Sequence, residues 1–176
     1  MFYKIEDSEL IAELNRRKNI VNIKKMDTQP RGEYLLTYSL NGEPVKVMLT
    51  CINNKNYTIL YKLRSREYFI LQLRFHSNLF QQDIELYGDL MDNTLYIHCA
   101  YIRSGTLIDN IQELDQLLFT SYKEDLDMEN LRICIKEFSG TKRDILNRHD
   151  PKINGILYLN NYIDKQHYIE FIRNHN

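Results

Sequence analysis

The chain has 176 residues, enough for about one domain with a buried core. Hydrophobic residues make up 43% and charged residues 27%, which with six glycines and three prolines excludes a disordered or collagen-like chain. The formal net charge of −1 gives no global field toward nucleic acid, so any such contact must come from a local patch.

Heavy use of Asn, Ile, Lys and Tyr fits an AT-rich genome, such as that of a large DNA virus or a parasite. Cys51, Cys99 and Cys134 are widely spaced and form no CxxC pair. Structural zinc needs closer ligands, so they read as reduced core residues in a cytosolic-type compartment. Residues Met1 to Asp7 carry no apolar h-region, so no secretory signal is expected. No apolar stretch approaches the ~20 residues that span a bilayer. The expected location is cytoplasmic, or a viral factory or nucleus, with no membrane partner.

Residues 7–18 predict a helix capped by Asp7 or Ser8, with Leu10, Ile11 and Leu14 on one face. Arg16, Arg17 and Lys18 fall in its last turn, where cations suit the helix dipole; a phosphate patch is the other reading. Pro30 and Gly32 mark a loop. Asn41 and Gly42 between two apolar runs, 34–40 and 45–51, predict a hairpin. Further strands are expected over 57–63, 67–75, 83–91 and 94–102, with turns at Asn53 to Asn56, Ser65-Arg66, His76 to Asn78 and Asp92-Asn93. A helix is expected over 109–122, a strand over 131–138 and a short helix over 141–148. A last strand is expected over 155–160, then strand or helix over 162–173. No repeat or linker interrupts this order, so one α+β domain built on a curved antiparallel meander is expected.

Four segments could carry chemistry. The stretch Tyr57 to Leu71 places Lys62 near the end of an apolar strand, with Arg64, Ser65 and Arg66 in the turn that follows. Gly88-Asp89 sits within a strand, His98-Cys99 within the next, and Asn154-Gly155 opens the last apolar run. In this order they resemble the nucleotidyltransferase domain of mRNA capping guanylyltransferases and ATP-dependent ligases, over roughly residues 57–172. That resemblance implies a guanylyltransferase/ligase-like core with curved antiparallel sheets and a few flanking helices. It also implies a lysine that attacks the α-phosphate, acids that bind metal and ribose, and an aromatic ring against the base.

Lys62 matches the nucleophile, whose amine must be deprotonated by burial or nearby cations. Arg64 stands at the family's aspartate and Ser65 at its glycine. Asp89 replaces the glutamate of the second signature and Tyr87 its first acid. His98 falls on the aromatic position and Cys99 on the aspartate, though magnesium prefers oxygen ligands. Lys136 matches a lysine of the capping enzymes. Asn154 replaces an aspartate, which removes charge and keeps hydrogen bonding. Glu170 and Ile172 stand where the closing Lys-x-Lys is expected, and those lysines orient the transferred phosphate. No OB-fold domain is expected to follow Asn176.

The expected function is therefore a catalytically degenerate guanylyltransferase-like module, more a binding protein than an enzyme. It would bind a nucleotide or an RNA 5′ end (cap or triphosphate) through Lys62, Arg64, Arg66, Asp89, His98, Lys136 and Asn154, with a ring such as Tyr96 or Tyr101 against the base. It would work within a transcription or RNA-processing assembly that includes a protein partner. No metal site is assigned; Mg or Mn with GTP or ATP enters only if Lys62 is active beside a partner that supplies the missing domain. The other alternative is a protein-interaction scaffold, which the many tyrosines suit.

Overall fold

Runs of consecutive buried residues mark most of the longer strands, and two sheets organise them. The computed structural model describes residues 2–17, 22–71, 75, 77–102, 131–148, 150–159 and 166–172. The chain divides into two compact units, Met1–Asn19 with Glu43–Ile135 and Ile20–Gly42 with Lys136–Asn176. The architecture is α+β, mostly strand, in two mixed sheets with few helices. Among the described residues no helix is long and apolar enough to cross a membrane.

The first unit holds strands β1 (Phe2–Lys4), β4 (Glu43–Ile52), β5 (Lys55–Lys62), β6 (Glu67–Leu71), β7 (Ile84–Met91), β8 (Thr94–Ile102) and β9 (Arg132–Ile135). They form one sheet in the order β1-β6-β5-β4-β7-β8-β9, antiparallel except for the parallel pair β8–β9. Two-residue turns at Asn53-Asn54 and Asp92-Asn93 close the β4–β5 and β7–β8 hairpins, all four residues at positive φ. Asn and Asp tolerate that conformation. One sheet face carries Val45, Val47, Leu49, Leu60, Leu86 and Ile97. Helix α2 (Ser77–Gln82) adds Leu79 and Phe80 to this cluster. It occupies a stretch where a turn is expected. The other face carries Met48, Ile59, Tyr61 and Tyr68, which cluster with Leu14 of helix α1 (Ser8–Arg16). Asp7 caps α1 by accepting bonds from the N–H groups of Glu9 and Leu10, at 2.9 and 3.3 Å.

The second unit holds β2 (Asn22–Met26), β3 (Leu35–Leu40), β10 (Ile153–Leu159), β11 (Gln166–Phe171) and helix α3 (Lys142–Leu146). Its sheet runs β2-β11-β10-β3, with β2 parallel to β11. Leu157, Leu159 and Ile169 cluster with Phe138 on one face. Thr141 caps α3 by accepting from Asp144 N–H at 3.3 Å.

Two expectations are corrected here. Asn41-Gly42 closes no hairpin: β3 pairs with β10, β4 pairs with β5 and β7, and neither turn residue has positive φ. The single antiparallel meander is replaced by two mixed sheets. The expected helix over 109–122 lies outside the described residues.

Candidate functional site

In the first unit a polar row crosses the sheet at one register. Tyr68, Tyr61, Lys46, Tyr87 and Cys99 stand opposite one another on β6, β5, β4, β7 and β8. Directly opposed residues share a face, so all five point to one side. Lys46 is only 3% exposed. Its Nζ lies 3.6 Å from Glu85 Oε1, 5.4 Å from the Tyr61 ring centre and 6.0 Å from that of Tyr87. Tyr87 donates to Glu85 Oε2 at 2.9 Å and meets Tyr101 edge-on at 5.7 Å. Burial, then the Glu85 charge, pushes the Tyr87 phenol far up. Burial also lifts Tyr68 to about 12, and its hydroxyl donates to Asn15 Oδ1 at 2.8 Å. Sequence reasoning missed this row. Its signal was a lysine inside the apolar run Val45 to Leu49, where alternation alone would send Lys46 to solvent.

Lys62 ends β5. Its Nζ sits 3.3 Å from Glu43 Oε2 and 4.8 Å from the Phe69 ring centre. Arg64 and Arg66 are exposed in the turn after it, with Arg66 at φ 59°. β5 ends before Arg64, so strand alternation does not carry Arg64 to the Lys62 face. Lys62 stands opposite Val45, whereas Asp89 stands opposite Pro44. Adjacent residues of a strand point to opposite faces, so Lys62 and Asp89 project from opposite sides of the sheet. Asp89 and His98 are both buried. Tyr96 stands opposite Asp89 and is half-buried; Tyr101 is buried against Tyr87.

Arg17 turns inward rather than forming a free basic cluster. It donates to Glu13 at 2.9 Å, to Thr50 Oγ1 at 2.9 Å and to the Cys51 carbonyl at 3.2 Å. A groove of about 540 Å³ runs along α1, lined by Asp7, Glu13, Arg16, Asn53 and Tyr57 among others. Its walls carry both signs of charge and select no ligand class.

The second unit places Lys136 against a ring and buries the side-chain oxygen of Asn154. Lys136 is buried, its Nζ 5.6 Å from the Tyr38 ring centre. The Arg148 guanidinium carbon lies 5.5 Å from the same centre. Arg148 Nη1 pairs with Glu137 Oε2 at 3.2 Å, and that carboxylate is 80% exposed. Thr37 donates to the Glu137 carbonyl at 2.8 Å. Asn154 Oδ1 is buried without a hydrogen-bond partner among the described residues.

Tyr38 and Glu170 both stand opposite Ile156, and so share a face. Glu170 takes a hydrogen bond from Tyr158 at 3.2 Å and an ion pair from Lys142 at 2.6 Å. At the position where the resemblance expects a phosphate-binding lysine, the carboxylate is thus internally matched. Tyr34 meets Tyr158 and Tyr168 edge-on at 6.1 and 5.7 Å. Burial, then Glu170, raises the Tyr158 phenol. Sequence reasoning found Lys136 and Asn154 but not Tyr38, Arg148 or Lys142; the fold brings Tyr38 to Lys136 and Arg148, and Lys142 to Glu170.

Within either unit taken alone, the described His, Cys, Asp and Glu side chains form no group of three close enough to hold a metal ion. No protein-family model and no curated protein matches the sequence.

Proposed function

We propose that this chain binds a nucleotide or an RNA 5′ end without forming a covalent bond to it, as a degenerate guanylyltransferase-like module. The observation that carries the reading is the Arg148 guanidinium, braced over the Tyr38 ring beside buried Lys136 and paired, among the described residues, with the exposed Glu137 carboxylate. An exposed ion pair is worth at most about 1 kcal/mol. A phosphate can therefore exchange with Glu137 and take the guanidinium by two parallel hydrogen bonds. Lys136 adds a second positive charge near the ring. Asn154 Oδ1 is a buried acceptor with no partner among the described residues, and an unmet acceptor costs roughly 1–3 kcal/mol.

The absence of covalent transfer rests on Lys62. A nucleophilic lysine needs its neutral amine beside the groups that hold the phosphate and metal. Here the amine is matched by Glu43 and projects away from Asp89. The test is incubation with α-labelled GTP or ATP and Mg or Mn, followed by denaturing electrophoresis. No label should stay on the protein, while a 5′-triphosphate RNA binds in solution. A covalent label lost in Lys62→Ala would establish a transferase instead, and no binding of RNA or cap analogue at millimolar ligand would end the binding reading.

A further inference from the structure

The outer strand of the second sheet carries a pattern that the nucleotide reading leaves unused. β2 is paired with β11 along one side, and among the described residues no strand pairs with its other side. Ile23, Lys24 and Lys25 are all exposed, so the strand is open on both faces. Ile23 and Lys25 stand opposite His167 and Ile169, which places them on the face of Phe171. Ile23 is 40% and Phe171 44% exposed, and Lys25 Nζ rests 5.2 Å from the Phe171 ring centre. Lys24 and Lys25 pair with no carboxylate of the described residues.

The edges β1 and β3 differ. On β1, Lys4 is matched by Glu67 at 2.7 Å. On β3, the carbonyl of Leu36 accepts the backbone N–H of Ser139 at 2.9 Å, so part of that edge is covered. Edge lysines commonly keep identical sheets from joining, because each would meet a like charge. The same lysines favour an incoming strand that brings carboxylates.

We propose that β2 docks an extended acidic segment of a partner protein by strand addition. The partner's main chain would complete the ladder along the open side of β2. Cross-strand pairing then fixes the side chains. An apolar residue falls opposite Ile23, acids opposite Lys24 and Lys25, and an apolar residue opposite half-buried Met26. The pattern sought is Val-Glu-Glu-Val within an extended peptide. An RNA strand is the competing occupant, but adjacent Lys24 and Lys25 point to opposite faces. They therefore present no single cationic track, whereas an added strand presents one residue to each.

The test uses the full chain and a fluorescein-labelled ten-residue peptide with a Val-Glu-Glu-Val core, against a Val-Lys-Lys-Val control, read by anisotropy. The acidic peptide should bind at least about tenfold tighter than the control, since each cross-strand charge pair contributes up to roughly a fivefold change. Lys24→Glu with Lys25→Glu should reverse the preference, with an unchanged circular dichroism spectrum. Ile23→Thr, which retains the charges, should weaken both peptides. Amide exchange at residues 23–26 should slow when the acidic peptide binds. Equal binding of the two peptides, exchange protection elsewhere, or displacement of the acidic peptide by oligo-uridine would overturn the proposal.

Discussion

Two glycines that carry the family resemblance have sufficient reasons in the sheets themselves. A Cβ on Gly88 would lie 2.0 Å from the Tyr96 carbonyl oxygen, where β8 shifts register against β7. A Cβ on Gly155 would lie 2.9 Å from the Glu170 carbonyl oxygen. Both obstacles are backbone and cannot swing aside. Gly88→Ala should therefore cost about 3 kcal/mol in urea unfolding; a loss under about 0.5 kcal/mol would show that the two strands can part. His167 makes a prediction about pH. Burial lowers its imidazole from 6.5 to about 4. Above pH 6.5 the group is neutral folded and unfolded and contributes no pH dependence. As pH falls from 6.5 toward 4 the unfolded chain takes the proton first, so stability drops by up to about 3 kcal/mol. Denaturant melts at pH 7 and pH 4.5 should show the drop, and His167→Gln should lessen it.

Among the elements, the central strand β4 is tightly constrained, because Val45 to Thr50 are buried on both faces. One face is apolar and the other carries Lys46 against Glu85. Removing one member of a buried pair strands the other charge, at about 3–5 kcal/mol. Lys46→Met should incur that cost, and Lys46→Met with Glu85→Gln should recover most of it, since Gln can still accept from Tyr87. Urea midpoints for both variants decide the point; equal midpoints would mean that Glu85 finds another partner.

Helix α1 and the strands β3 to β10 were legible, because their apolar runs and turn residues are local, whereas the pattern over 162–173 fits strand or helix and leaves β11 open. Asp7, Asn53-Asn54 and Asp92-Asn93 act as their chemistry dictates. Asn41-Gly42 misled because a turn signal says where a chain bends, not which strand it then joins. Helix α2 escaped because six residues are too few to display a period. The parallel pairs β8–β9 and β2–β11 join strands distant in sequence, and no local pattern encodes them.

At the scale of the whole molecule, the chain combines two mixed sheets, each with its own buried polar arrangement. In the first unit the charges of Lys62, Lys46 and Arg17 are each matched by a carboxylate within that unit. In the second, Lys142 is matched by buried Glu170, whereas Arg148 faces the exposed carboxylate of Glu137. Of the proposed site, the sequence revealed Lys136 and Asn154 through the resemblance. Arg148 and Tyr38 lie 110 residues apart and meet only in the fold. The account turns on that exchangeable pair, and the most direct test is the affinity of the intact chain for a fluorescent 5′-triphosphate RNA. Glu137→Gln removes the competing charge and should tighten binding about two- to fivefold, while Arg148→Ala should weaken it about tenfold. Affinities unchanged in both variants would contradict the account.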